Sequence, residues 1–204
     1  MISPPPSNPH PRIILKELTD THHIQSYHSL LTHPTAAQWS ISAQPTSLEE
    51  SRTSLLAKMP TEEEPWRGIW GIFLLDGGCE EDGDGDGGNG VGANGGKFIG
   101  TIGFPVEAVV GYRLMPEYWG KGYMTEALKM FLVMWFGREG NQKYDKLSAG
   151  IDPENIGSRR VLEKAGFVKG AYVKDAVQMP TEAGRWSDIQ VFEFQRGFLG
   201  EGDE

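Results

Sequence analysis

The chain has 204 residues, 38% hydrophobic and 23% charged, with a formal net charge of −9 and one cysteine, Cys79. That length suits one domain with a sizeable core. The single cysteine excludes an internal disulfide, no apolar run reaches the roughly 18 residues of a membrane span, and no basic run or basic helix face offers a nucleic-acid footprint.

The acidity is local. Carboxylates cluster at 62–64, 80–86 and 201–204, and the rest of the chain is close to neutral, so its body can still hold an anion. Residues 1–11 are proline-rich and read as a disordered tail. They lack the positive n-region and apolar h-region of a secretory signal. With one cysteine, this favours a reducing compartment, the cytoplasm with the nucleus as alternative.

From Arg12 the elements follow in order. "RIILKEL" has the apolar content of a strand. The next segment offers Thr19 or Asp20 as a helix cap and a weak apolar spacing at Ile24, Tyr27, Leu30 and Leu31. Its histidines, His22, His23, His28 and His33, lack a metal-site spacing and read as helix surface or acceptor-cleft lining. "TSLEESRTSLLAKM" is a clearer helix, with Ser47 and Glu50 at capping-box spacing. "WRGIWGIFLLD" reads as a strand, and so does "KFIGTIGF". Between them lies an insertion, 77–96, in which half the residues are glycine. It cannot bury enough apolar surface to offset its ordering entropy and is expected to be a flexible loop joining hairpin arms. Its Asp82-x-Asp84-x-Asp86-Gly87 looks like half a calcium loop, but Ala93 stands where the bidentate glutamate is needed, so no metal is expected.

"AVVGYRLM" is a further strand, followed by "PEYWGKGYMTEALKMF". Met124, Ala127, Leu128, Phe131, Met134 and Trp135 share one face of a helix that Gly137 ends. "KLSAGID" is a buried-type strand, Asn155 can cap the helix "IGSRRVLEKA", Gly166 terminates it, and two strands close the chain. The result is a single mixed α/β domain over 12–196, with an acidic tail at 197–204.

A strand that enters a glycine-bearing turn and then a helix builds an anion site. The first helical amides lack intrahelical partners, the dipole adds positive charge, and glycines admit a close ligand. Lys121 adds a cation. The P-loop is excluded because Lys121 precedes Gly122, and the dinucleotide fingerprint fails because Thr125 stands at its third glycine.

Taken together, "GYRLMPEYWGKGYMTEAL" and "IDPENIGSRRVLEKAGF" resemble the GNAT superfamily of acyl-CoA N-acyltransferases, and within it the RimJ/RimL-like branch of ribosomal-protein N-terminal acetyltransferases. The resemblance runs from about Arg12 to Gln195 and implies a twisted sheet of six to seven strands with a splayed pair that admits acetyl-CoA. It lays the pyrophosphate signature over Trp119, Gly120, Lys121, Gly122, Tyr123 and Met124, with Thr125 following. Met124 replaces a small residue there and could either crowd the loop or tuck into the core.

The resemblance further implies that the backbone of Tyr112, Arg113 and Leu114 pairs with the pantetheine arm, that Leu114 N–H meets the oxyanion, and that Asn155 binds the arm besides capping its helix. The tyrosine acid of many relatives would fall at Leu162, so Ser158 becomes the candidate acid, against the plainer reading of a solvated first-turn serine. Glu107, Glu117, Asp175 and Asp188 are weak candidates for the base, and water-mediated deprotonation is the alternative. The implied activity is direct acetyl transfer from acetyl-CoA to a primary amine, a protein N-terminus or a small amine, by a monomer or homodimer without nucleic-acid or membrane partners. The alternative is a coenzyme-binding regulatory module without activity.

Overall fold

A computed structural model describes residues 11–75, 96–178, 180 and 186–200. The 1–11 tail (except residue 11), the 77–96 insertion (except Gly96), most of the last hairpin turn and residues 201–204 lie outside the described residues.

Seven strands form one sheet: β1 (Ile13–Glu17), β2 (Ile69–Leu74), β3 (Lys97–Val106), β4 (Val109–Leu114), β5 (Lys146–Ile151), β6 (Val168–Gln178) and β7 (Trp186–Gln195). Their spatial order is β1-β2-β3-β4-β5-β7-β6. All neighbours are antiparallel except β4 and β5. The helices are α1 (Asp20–Thr32), α2 (Pro34–Ala37), α3 (Leu48–Leu56), α4 (Tyr123–Phe136) and α5 (Ile156–Lys164). The expected alternation of elements is met, with the short α2 added. Residues 197–200, expected as tail, continue instead from Arg196 as a 3-10 turn, because the Arg196 guanidinium and amide are tied to the carbonyls of Tyr144, Asn141 and Asp145.

Two apolar clusters cover the sheet. On one face α4 buries Met124, Ala127, Leu128, Phe131, Leu132, Trp135 and Phe136. Phe131 lies edge-on to Trp70 at 5.2 Å, and Phe104 packs on Trp135 at 5.0 Å. Truncating such a fully buried phenylalanine costs about 3–5 kcal/mol. Met134 belongs to the expected stripe but is only partly buried. On the other face Ile24, Tyr27 and Leu30 of α1 join Leu55 of α3 against Ile69, Phe73 and Phe98.

Ser47 caps α3 by accepting from Glu50 N–H at 3.2 Å. Glu50 returns not to Ser47 but to Thr46, accepting its amide at 2.7 Å and its hydroxyl at 3.0 Å. The histidines serve α1 to α3. His23 accepts the Thr19 amide, His28 Nδ1 lies 2.7 Å from Ser51 Oγ, and His33 caps α2. None of them lines either of the two clefts described below, so of the two readings the helix-surface one holds and the cleft-lining one is corrected.

Candidate active site

The site begins where the sheet comes apart. β4 and β5 share a single register pair, Val109 with Ser148, held by the Ser148 amide on the Ala108 carbonyl at 2.9 Å. Beyond it the two strands diverge. On the other side of β4, Met115 N–H donates to Ile99 C=O at 2.9 Å, and Thr101 opposes Arg113. Antiparallel ladders bond alternate residues, so Arg113 turns its backbone to β3, while Tyr112 and Leu114 turn theirs to the gap. The expectation that Arg113 pairs with a ligand through its backbone is therefore corrected. The Leu114 carbonyl in that gap accepts the Trp119 indole N–H at 2.8 Å, which ties the following turn to the strand end.

That turn is the glycine loop. Gly120 (φ 73°) and Gly122 (φ 86°) occupy left-handed backbone that a side chain disfavours. A Cβ on Gly120 would meet nothing within 4 Å. The first bond of α4 runs from Glu126 N–H to Gly122 C=O, so the amides before it have no helical acceptor. Gly120, Gly122, Tyr123, Met124 and Thr125 line a cleft of about 580 Å³. The Met124 side chain is 7% exposed and belongs to the core cluster, so the second of its two alternatives holds and the loop is not crowded. Lys121 does not line the cleft; its ammonium lies 5.6 Å from the Tyr118 ring centroid. The cations that do line it are Arg160 and Lys164 on α5 and Arg113 on β4.

The loop is strapped by two residues that sequence reasoning passed over. Arg12 places Nε and NH2 on Glu126 Oε2 at 2.9 and 2.7 Å, its own amide on Oε1 at 3.0 Å, and NH1 on the Lys121 carbonyl at 3.3 Å. Its guanidinium also lies 4.7 Å from the Tyr123 ring centroid. Nothing in the local pattern pairs two residues 114 apart in sequence.

Opposite the loop, Asn155 Oδ1 caps α5 through the Ser158 amide at 3.0 Å. Ser158 is not a solvated serine: its Oγ lies 2.7 Å from the Tyr112 hydroxyl. Burial pushes the Tyr112 pKa well above its ordinary value, and the Ser158 hydrogen bond offsets this only in part. Leu162, where a tyrosine acid could have stood, is fully buried core. The side chain of Tyr112 is the hydroxyl that spacing along α5 could not disclose, because it arrives from β4.

A second cleft of about 650 Å³ opens on the far side. Trp39, Ser40, Tyr112, Arg113, Asn155 and Ser158 line both clefts and form the wall where they meet. Glu107, Glu117, Asp175 and Asp188 line neither. Glu107 is engaged by Tyr144 and Lys143, and Asp188 by Tyr172 and the Asp175 amide. The carboxylates on the second cleft are Glu50 and Asp152. Asp152 is 9% exposed and accepts the Glu154 amide at 2.8 Å and the Ser187 hydroxyl at 2.5 Å. Among the described residues no group of three His, Cys, Asp or Glu could hold a metal.

The family model for the acetyltransferase (GNAT) domain matches residues 12–168. The chain belongs to this GNAT family. Its sequence is similar to the probable N-acetyltransferase YjcK of Bacillus subtilis (strain 168), 37% identical over 102 residues, which are 47% of this chain and 53% of that protein. The chain thus spans about half the length of the curated relatives it matches. Among solved structures, a Salmonella typhimurium acetyltransferase described as modifying the N-terminal serine of ribosomal protein L7/L12 superposes with TM-score 0.68 at 18% identity, covering 90% of this chain and 95% of that one. Vibrio cholerae spermidine N-acetyltransferase, solved with CoA and spermine, superposes with TM-score 0.67 at 13% identity, covering 91% and 96%. At these identities the likeness shows the fold. It is the GNAT fold that the paired motifs implied, and a ribosomal-protein acetyltransferase is among its neighbours.

Proposed function

We propose that this GNAT domain is a cytoplasmic N-acetyltransferase of the RimJ/RimL-like type that transfers the acetyl group of acetyl-CoA to a primary amine. The observation that carries this reading is the pair of clefts, about 580 and 650 Å³, sharing the Tyr112–Ser158 wall at the splay of β4 and β5.

The glycine loop fits the coenzyme pyrophosphate, because its backbone is bare and its amides precede the first helical bond. The Tyr112 backbone and the Leu114 amide, turned to the gap, suit the pantetheine amides, as a strand edge suits a peptide. Asn155 has spent its side-chain oxygen on the cap, so only its NH2 is left to donate to the arm.

The acceptor occupies the second cleft. It loses a proton through water, since Glu50 and Asp152 are both held by other donors. Its nitrogen lone pair attacks the thioester carbonyl carbon, a C–N bond forms, and the C–S bond breaks. Leu114 N–H, turned into the gap, meets the charge that develops on oxygen. Ser158 gives its hydroxyl proton to the departing thiolate and takes one from Tyr112, and the acetylated nitrogen returns its second proton through water to Tyr112, whose burial favours the protonated form. Holding the two reactants together in one frame adds to the acceleration.

The two features that suggested an inactive module, Met124 in the loop and Leu162 in α5, both lie in the core, and the Tyr112–Ser158 hydroxyl pair on the shared wall supports an acid there. The test is to incubate the protein with acetyl-CoA and a panel of amines and N-terminal peptides while following free thiol. Release with an acceptor is expected. Measurable coenzyme binding without release for any acceptor overturns the reading.

A further inference from the structure

The second cleft contains an arginine, Arg113, that no side chain or carbonyl among the described residues binds by a hydrogen bond or ion pair. Arg113 lies opposite Thr101 in the β3–β4 register, so its side chain leaves the strand on the α1–α3 face, away from Tyr112. It is half-buried, and among the described residues no hydrogen bond or ion pair engages its guanidinium. Six other arginines are engaged: Arg12 by Glu126, Arg52 by Asp20, Arg67 by Glu64, Arg138 by Glu17, and Arg159 and Arg196 by carbonyls.

The surroundings of Arg113 are suited to an anion. Tyr27 is the neighbour that favours its charged form, against the burial that disfavours it. The Tyr27 hydroxyl lies 3.4 Å from Ser54 Oγ, and Lys58 Nζ lies 2.8 Å from the same oxygen. Two cations and two hydroxyls thus line this cleft, with Tyr27 the common neighbour of Arg113 and of the Ser54–Lys58 pair. Among the described residues neither carboxylate on this cleft pairs with these cations; Glu50 is turned to Thr46 and Asp152 to Ser187. A half-buried guanidinium whose free donors face the cleft gains charge-assisted hydrogen bonds when an oxyanion replaces the water there, often through two parallel ones.

We propose that the acceptor is a small amine that carries its own carboxylate or phosphate, bound by the Arg113 guanidinium with Lys58 and Ser54 alongside. This rests on the acetyltransferase reading and narrows it. Arg113 lines both clefts, so the anionic group sits within a few bonds of the amine that is acetylated.

The experiment compares kcat/KM, from thiol release with acetyl-CoA, for matched pairs: an amino acid against its amide, an aminoalkyl phosphate against the aminoalcohol, and a polyamine as a cationic arm. The wild-type protein should prefer the anionic member by about 10- to 100-fold. The carboxylate and phosphate pairs tell the two oxyanions apart. Arg113→Met should bring the ratio of anionic to neutral substrate close to one, and Lys58→Met should lower it in part. Equal kcat/KM within the wild-type pairs, a polyamine or a neutral N-terminal peptide as the better substrate, or a preference that survives Arg113→Met each overturns the inference and leaves the acetyltransferase reading standing. No release with any amine overturns both.

Discussion

The Tyr112 hydroxyl lies 2.7 Å from Ser158 Oγ and so joins β4 to α5 across the open side of the splay. If this pair protonates the thiolate, Ser158→Ala should lower kcat by about 100-fold. CoA affinity measured by calorimetry should be unchanged. Tyr112→Phe should do the same, and the double variant should fall little further, as residues in one relay are not additive. Unchanged kcat in Ser158→Ala would remove the relay.

The raised Tyr112 pKa has a stability consequence with a definite sign. The unfolded chain ionises its tyrosines near pH 10, while the folded chain holds this proton longer. Stability from Tyr112 is therefore complete below about pH 10 and is lost as pH rises toward the folded-state value. Denaturant titrations from pH 9 upward should show a falling slope that is shallower in Tyr112→Phe.

Gly120 separates turn geometry from ligand approach. Gly120→Ala should cost about 1–2 kcal/mol of backbone strain, because φ is 73° and the added Cβ meets no neighbour. That is a fall in Tm of roughly 2–8 °C. If the loop cradles pyrophosphate, the Kd for CoA should rise about tenfold or more. A Tm shift with unaltered Kd would leave Gly120 as a turn residue only.

Asn155 has two separable duties. Asn155→Asp keeps a capping oxygen but loses the NH2 donor, so it should retain Tm and weaken CoA binding. Asn155→Ala should lose about 1 kcal/mol of stability as well. Equal Kd for wild type and Asn155→Asp would reduce the residue to a cap.

Glu126→Gln tests the strap. Arg12 and Glu126 are partly exposed, so their pair should contribute about 1 kcal/mol or less. Its loss should be smaller in high salt than in low salt. The Kd for CoA should rise a few-fold as the Lys121 carbonyl loses its anchor.

Much of this was legible in the residues. The periodicity of Met124 to Trp135 gave α4 because one face of that helix meets a sheet rich in aromatic side chains. Ser47 and Asn155 announced their helices because capping is a local hydrogen bond. The glycine loop was legible for the same reason. What stayed hidden is long-range: the Arg12–Glu126 strap, the Tyr112 hydroxyl meeting Ser158, and the β3–β4 register that decides which backbone groups face the gap. That the four base candidates line neither cleft, and that the histidines follow the helix-surface reading, has a related cause. A carboxylate or imidazole at a strand or helix end looks alike whether it points to a cleft or, like Asp188, to a neighbouring strand.

The single register pair between β4 and β5 makes the sheet two blocks, β1–β4 and β5–β7, hinged at Val109 and Ser148. A ligand with amides of its own, laid in the gap, would act as the missing eighth strand and turn two ladders into one. Binding would then be a folding event for the sheet. The Tyr112 and Leu114 amides should exchange deuterium quickly in the free protein and slowly with CoA bound, and β5–β7 should lose its separate opening and unfold only with β1–β4.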